Sequence, residues 1–172
     1  MNRLYEADMK RYGEGRVPFT IKMFHYFFRK VQSTTPSIAR YIYIAFFKFM
    51  RSRYRIGISY NAQIGPGLYL GHPYNITINP RAVIGKNVNI HKGVTIGQEN
   101  RGKRKGAPTI GDCVWIGINA VIVGNITVGN DVLIAANSFV NCDVPDHSVV
   151  YGNPCVIKHR ENATEGYINN TI

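Results

Sequence analysis

Acidic residues are scarce in this chain of 172: Asp and Glu number 10 against 21 Lys and Arg, a formal charge of +11. That balance disfavours a cationic partner and favours an anionic one, whether phosphate groups, a membrane surface or nucleic acid. Cysteine is scarce too. Cys113, Cys142 and Cys155 are odd in number and lack the paired spacing of zinc or redox motifs, which excludes a disulfide framework and leaves buried small residues in a reducing compartment as the expectation. Long apolar runs are missing: the longest, Tyr41 to Phe47, lies between Arg40 and Lys48 and falls far short of the roughly 20 residues that span a bilayer. Asn2 to Arg16 mixes Arg3, Glu6, Asp8, Lys10 and Arg11 with no apolar segment of the secretory kind, so a cytoplasmic location is the default expectation.

What is present is a repeat. Stepping by six residues gives Ile58, Ile64, Leu70 and Ile76, then Ile84, Ile90 and Ile96, then Ile110, Ile116, Ile122, Val128, Ile134 and Val140. Every one is aliphatic. Gly often follows, as at Gly65, Gly85, Gly97, Gly111 and Gly129, and the position two before is small or aliphatic, as at Ala62, Ala82, Val88, Val94 and Ala120. A helix would need spacings of three and four. Six-residue steps instead suit short flat strands joined by tight bends, stacked coil upon coil into a parallel β-helix. The phase breaks twice. A step of eight separates Ile76 from Ile84, and Ile96 to Ile110 leaves room for a polar, basic loop over 98–105, and loops thrown out of a regular solenoid are usual places for function.

The expected organisation is therefore an N-terminal helical segment at 1–57, the β-helix at 58–145, and a C-terminal cap and tail at 146–172. Val17 to Val31 and Ser37 to Arg55 read as two helices, with Pro36 suited to a helix start. The second mixes Tyr41, Phe46, Phe47 and Phe49 with Arg40, Lys48, Arg51, Arg53 and Arg55. Residues 17–55 are thus expected either to pack on the β-helix or across a subunit boundary, or to lie on an anionic membrane surface. Val144 to Lys158 should cap the coil, and the polar stretch from Glu161 to Ile172 should be loose.

The hexads, the loop after VTIG and the ending VPDHSVVYGNP resemble the left-handed β-helix acyltransferases. Within them, GLYLGHPYNITINPRAVIG and VTIGQENRGK look most like the serine acetyltransferase branch, with a closer likeness to its polysaccharide O-acetyltransferases. The resemblance covers about residues 57–158. It implies a left-handed coil, which general chirality would not favour, a homotrimer with grooves between neighbouring β-helices, and acetyl-CoA as co-substrate. It also implies that His72 is the general base, taking the proton from an acceptor hydroxyl as its oxygen attacks the thioester; an imidazole with an ordinary pKa of about 6.5 suits that task.

The chain also departs from the serine enzymes' pattern. Ala107 stands where they carry a second histidine, Gly106 where they carry an arginine, and Gly71 and Gly57 where they carry carboxylates. Those departures turn the expectation from free serine toward a sugar hydroxyl of a surface polysaccharide or its precursor, made at or near the inner face of the cell membrane. Serine or another small acceptor is the alternative, and a non-catalytic trimeric scaffold is the reading from a different class.

One coil is three hexads, or 18 residues, so after the first insertion Lys92, Ile118 and Ala136 are expected to stack above His72. The resemblance assigns Ile118 and Ala136 to the pantetheine groove, Gly97 and Gln98 to backbone contact with CoA, and Lys158, with Arg160, to its phosphates. His91 is expected to be a second acid/base group or a solvent-facing residue. His25, His147 and His159 read as structural or surface residues. A metal site of the kind found in related carbonic anhydrases needs three histidines, and only His72 and His91 lie in the repeat, so no metal is expected. Arg101, Lys103, Arg104 and Lys105 could meet CoA phosphate, attract an acidic polysaccharide or simply solvate their loop. They lack the interleaved aromatics of a nucleic-acid surface, so no nucleic acid is expected.

Overall fold

A computed structural model describes residues 2–15 and 17–172; Met1 and Arg16, inside the expected helical segment, lie outside the described residues. Its centre is a solenoid of about five coils. The first holds β1 (Gly57–Ile58), β2 (Gln63–Ile64) and β3 (Tyr69–Gly71); the second holds β4 (Thr77–Ile78), β5 (Val83–Ile84) and β6 (Asn89–His91). The third holds β7 (Thr95–Gly97), β8 (Thr109–Ile110) and β9 (Val114–Ile116), and the fourth β10 (Val121–Val123), β11 (Thr127–Val128) and β12 (Val132–Ile134). β13 (Phe139–Val140) and β14 (Ser148–Tyr151) complete the stack. Every third strand pairs in parallel, giving three sheets: β1-β4-β7-β10-β13, β2-β5-β8-β11, and β3-β6-β9-β12-β14. β15 (Val156–His159) then turns back antiparallel on β14.

The register makes three inward columns: Ile58, Ile78, Ile96, Ile122, Val140; Ile64, Ile84, Ile110, Val128; and Leu70, Ile90, Ile116, Ile134, Val150. All are buried, each contributing roughly 2 kcal/mol of gross apolar burial. One detail differs from the six-residue count. Ile78, not Ile76, occupies the inward column, while Ile76 fills the buried position two before it. The extra two residues therefore precede Ile76 instead of following it.

Three helices close the first coil. α1 (Arg3–Lys10) was not expected; Asn2 caps it by accepting from Leu4 N at 2.9 Å. α2 (Phe19–Ser33) and α3 (Ile38–Arg53) match the two expected helices to within two residues at each end. Phe24, Phe27, Phe28 and Val31 of α2, at helical spacing, join the same core as Ile58 and Leu70, together with Phe47 of α3. An exposed first coil would leave a row of unpaired backbone groups. Here side chains take them: Arg29 donates to Ile64 O and Gly65 O, Gln32 to Ala62 O, Arg11 to Gly67 O and Arg51 to Ile58 O. Asp8 accepts from Leu68 N and Tyr12 Oη accepts from Leu70 N.

Further expectations need correction. β14 continues the stack to Tyr151, so the coil passes the expected boundary at 145 because Val150 carries on the inward column. The tail is not loose: Asp131 accepts from Ala163 N, Thr164 N and Thr164 Oγ1, and Asn87 holds Ile172 by donating to its carbonyl and accepting from its N–H. Polar residues pin it by hydrogen bonds, which apolar periodicity does not report. The cysteines are not buried. Cys142 is exposed, Cys113 and Cys155 are half-buried, and Cys142 and Cys155 Sγ lie 3.6 Å apart. Among the described residues no helix is long and apolar enough to cross a membrane.

Candidate active site

The corner between β3 and β4 holds the two-residue insertion. At this corner of later coils a residue in the left-handed region donates its N–H to the coil before: Asn137 to Ile118 O, Asn119 to Lys92 O, Gly93 to Tyr74 O. The same bond runs from Asn75, at φ 54°, to Tyr54 O. Asn75 is thus the equivalent of Gly93, and Tyr74 of Lys92. Before the corner, Gly71 pairs with His91. Only His72 and Pro73 remain between the two registers, so they are the inserted pair. His72 takes φ 50°, an uncommon conformation for a residue with a Cβ, next to a proline that cannot. The column Lys92, Ile118, Ala136 exists as expected, but Tyr74 stands at its foot and His72 protrudes beside it.

His72 is exposed. It lines a cavity of about 310 Å³ with Tyr12, Val17, Pro18, Tyr69 and Pro73. His91 sits behind it, half-buried and not solvent-facing. Burial, and then the neighbouring His72, hold the His91 imidazole below the usual histidine range, so it is neutral at pH 7. Its ring lies against Gly71 so closely that a Cβ there would collide with Nδ1 and Cε1. A side chain at 71 would therefore require the His91 ring to move.

Behind the corner lies a buried polar chain that the sequence alone did not reveal. Asp8 receives Arg29 in a two-pronged ion pair, Nε to Oδ2 at 2.7 Å and Nη2 to Oδ1 at 2.9 Å, and lies 3.0 Å from His25 Nδ1. His25 Nε2 meets Tyr12 Oη at 3.0 Å. Burial pushes the Asp8 carboxyl upward, but His25 and Arg29 outweigh it and its pKa is lowered; burial pushes the Tyr12 phenol well up. Tyr12 is therefore a fixed neutral hydroxyl between this chain and the backbone of β3. His25 is structural, as expected. His147, paired with Asp131 at 2.9 Å, and His159 lie at the far end of the solenoid.

The other expected residues spread over three places. Ile118, half-buried, and exposed Ala136 line the His72 corner. Gly97 and Gln98 lie at the next corner, across the sheet that begins with β1; Gln98 Oε1 accepts from Asn79 at 3.2 Å and from Arg81. The loop that follows is ordered, with Glu99 and Gly106 exchanging two backbone bonds of 3.0 Å and Arg104 paired to Glu99. Lys158 is on β15, exposed, its Nζ over the Tyr151 ring, on a different sheet from Gly97. Among the described residues no cluster of three or more metal-binding side chains occurs.

Residues 107–142 match the family model described as bacterial transferase hexapeptide (six repeats). A solved serine acetyltransferase of Neisseria gonorrhoeae superposes with a TM-score of 0.71 at 30% identity, over 91% of this chain and 67% of that one. The chain belongs to the left-handed β-helix, hexapeptide-repeat acyltransferases. Within that family it is similar to a serine acetyltransferase of Staphylococcus aureus, 38% identical over 117 residues, which are 67% of this chain and 55% of the relative. It is also similar to serine acetyltransferase 2 of Arabidopsis thaliana, 43% identical over 93 residues, 54% of this chain and 29% of the relative. The chain thus spans about half, or less, of these curated acyltransferases. A serine acetyltransferase solved as a complex with CoA matches with a TM-score of 0.64 at 27% identity, over 81% of this chain and 55% of that one.

Proposed function

We propose that this acyltransferase moves an acetyl group from acetyl-CoA to a hydroxyl, with His72 as general base. The supporting observation is the protruding, exposed His72 on a fold shared with serine acetyltransferases, one of them solved with CoA. The imidazole takes the hydroxyl proton while the oxygen attacks the thioester carbonyl; the C–S bond breaks, and the imidazolium returns the proton to the departing thiolate. An ester and free CoA result, with no acyl-enzyme. Ile118 and Ala136 would line the path of the pantetheine arm, with Gly97, Gln98 and Lys158 further contacts to the donor. Gly97 and Lys158 stand on different sheets, and a homotrimer, with a groove between neighbouring subunits, would let both kinds of surface meet one CoA. His91, neutral beside His72, would serve as a second acid/base or positioning group.

The relatives' names support serine, a small hydroxyl acceptor, as the first reading of the substrate. A sugar hydroxyl is the second reading, favoured by Gly71, whose missing side chain leaves its space to His91, and by Gly106 and Ala107 at the loop's end. α3 exposes Ile38, Tyr41, Ile42, Phe46 and Phe49, and residues 17–55 carry no Asp or Glu, which supports contact with an anionic membrane surface during synthesis of such a glycan. Free thiol released from acetyl-CoA, measured with serine, with neutral sugars and with no acceptor, tests the proposal. Acceptor-dependent release supports it and names the acceptor; no release with any of them contradicts it.

A further inference from the structure

A second cavity, of about 280 Å³, opens on the other side of Tyr12 and Tyr69, which line both spaces. Its floor is the sheet containing β3, β6 and β9, and its far wall is the C-terminal tail. Aromatic rings run along it in sequence: Tyr69 to His91 at 6.3 Å, His91 to Trp115 at 4.8 Å, and Trp115 to Tyr167 at 5.1 Å. Beside them the wall is polar, lined by Asn89 and by Asn169 and Asn170 of the tail. His91 Nε2 is buried with no hydrogen-bond partner among the described residues, and buried polar atoms ordinarily have one.

The charge of the lining restricts the ligand. Among the described residues no carboxylate borders the cavity, so nothing there would hold an ammonium group. The charged side chain among them is Arg11, whose guanidinium gives a donor from each of its three nitrogens to protein oxygens, Asn169 O, Gly67 O and Asn89 Oδ1, at 2.8 to 2.9 Å. The volume lies at the low end of small-molecule sites, about 300–1,000 Å³, which suits one ring and not a nucleotide. Flat aromatic faces with asparagines beside them, and a guanidinium whose nitrogens are each turned to a protein oxygen, fit a ring with apolar faces and a hydroxylated rim.

We infer that this cavity binds a single neutral pyranose sugar, seated against Trp115 and Tyr167 and hydrogen-bonded by the tail amides, with His91 Nε2 reached by a small rotation of its ring. Its use as the acetyl acceptor rests on the sugar reading of the transferase, since Tyr69 joins it to the His72 cavity; binding itself does not. The tail, which apolar periodicity would leave unplaced, thereby acquires a role.

Trp115 is the one tryptophan of the chain, so its emission reports on this cavity alone. The full chain, without acetyl donor, is titrated with methyl glycosides of neutral hexoses and N-acetylhexosamines, and with L-serine. The expected result is a saturable change in emission with at least one sugar and none with serine, weakened at least tenfold in Tyr167→Ala, a truncation of a half-exposed side chain that spares the fold. No saturable change with any neutral sugar, or a response unaltered in Tyr167→Ala, overturns the inference. Acetylation of a sugar while Trp115 stays silent overturns this site and spares the transferase. A saturable response with no acetylation of any sugar supports the site and removes the sugar reading of the transferase.

Discussion

Gly71, His72, Pro73 and His91 form the proposed catalytic corner, and they differ in how far the sequence reveals them. His72 is legible through the LGHPYN motif. Its placement is less so: Ile76 and Ile78 are both aliphatic, so a six-residue count accepts either, and only backbone pairing shows that His72 and Pro73 are the inserted pair. For His91 the sequence leaves two readings, a second acid/base group or a solvent-facing residue, and its contact with Gly71 and its partial burial appear only in the structure. The Asp8 network is invisible in the sequence because Asp8 meets His25, Arg29 and Leu68 across 17 to 60 residues. Removing the Asp8 charge leaves Arg29 buried without its counter-ion, and Asp8→Asn should cost roughly 3–5 kcal/mol in urea unfolding. The pH dependence follows from its lowered pKa. The stabilisation is complete above the unfolded carboxylate range near 4 and is lost as pH falls through the folded value. Wild-type stability should therefore drop below about pH 4, and Asp8→Asn should lack that part of the drop.

At the scale of elements, the strands were legible because each contributes an inward aliphatic residue at a fixed step, and stacking converts that step directly into a column. α2 and α3 were legible from apolar spacing, but α1 is short and polar, with Asp8 its only buried residue, and periodicity cannot see it. The tail was misread for the same reason, since Asp131 and Asn87 hold it by hydrogen bonds. Ile116 lies fully buried between Ile90 and Ile134. Ile116→Asp would put a carboxylate into a column with no polar partner, and loss of the cooperative melting transition is expected. A soluble variant with unchanged melting would contradict the stacked-column account.

For the whole molecule, the proposed donor groove lies between copies of the chain. Gly97 and Lys158 stand on different sheets of the solenoid, so the proposed CoA groove, if both residues line it, is shared between neighbouring subunits. Light scattering should give three times the 19.4 kDa chain mass; a monomer retaining full activity would remove the shared groove from the account. In the proposed trimer the basic, aromatic face of α3 would be carried three times on one assembly, which would multiply any weak attraction to an anionic surface.

The most direct measurement of the central claim compares His72→Ala with wild type in two assays on the same preparations, thiol release from acetyl-CoA with the preferred acceptor and equilibrium binding of CoA. Turnover should fall by about 10²–10⁴ while CoA affinity stays within a few-fold. Full turnover in His72→Ala would contradict the account and transfer the base to another residue, His91 first.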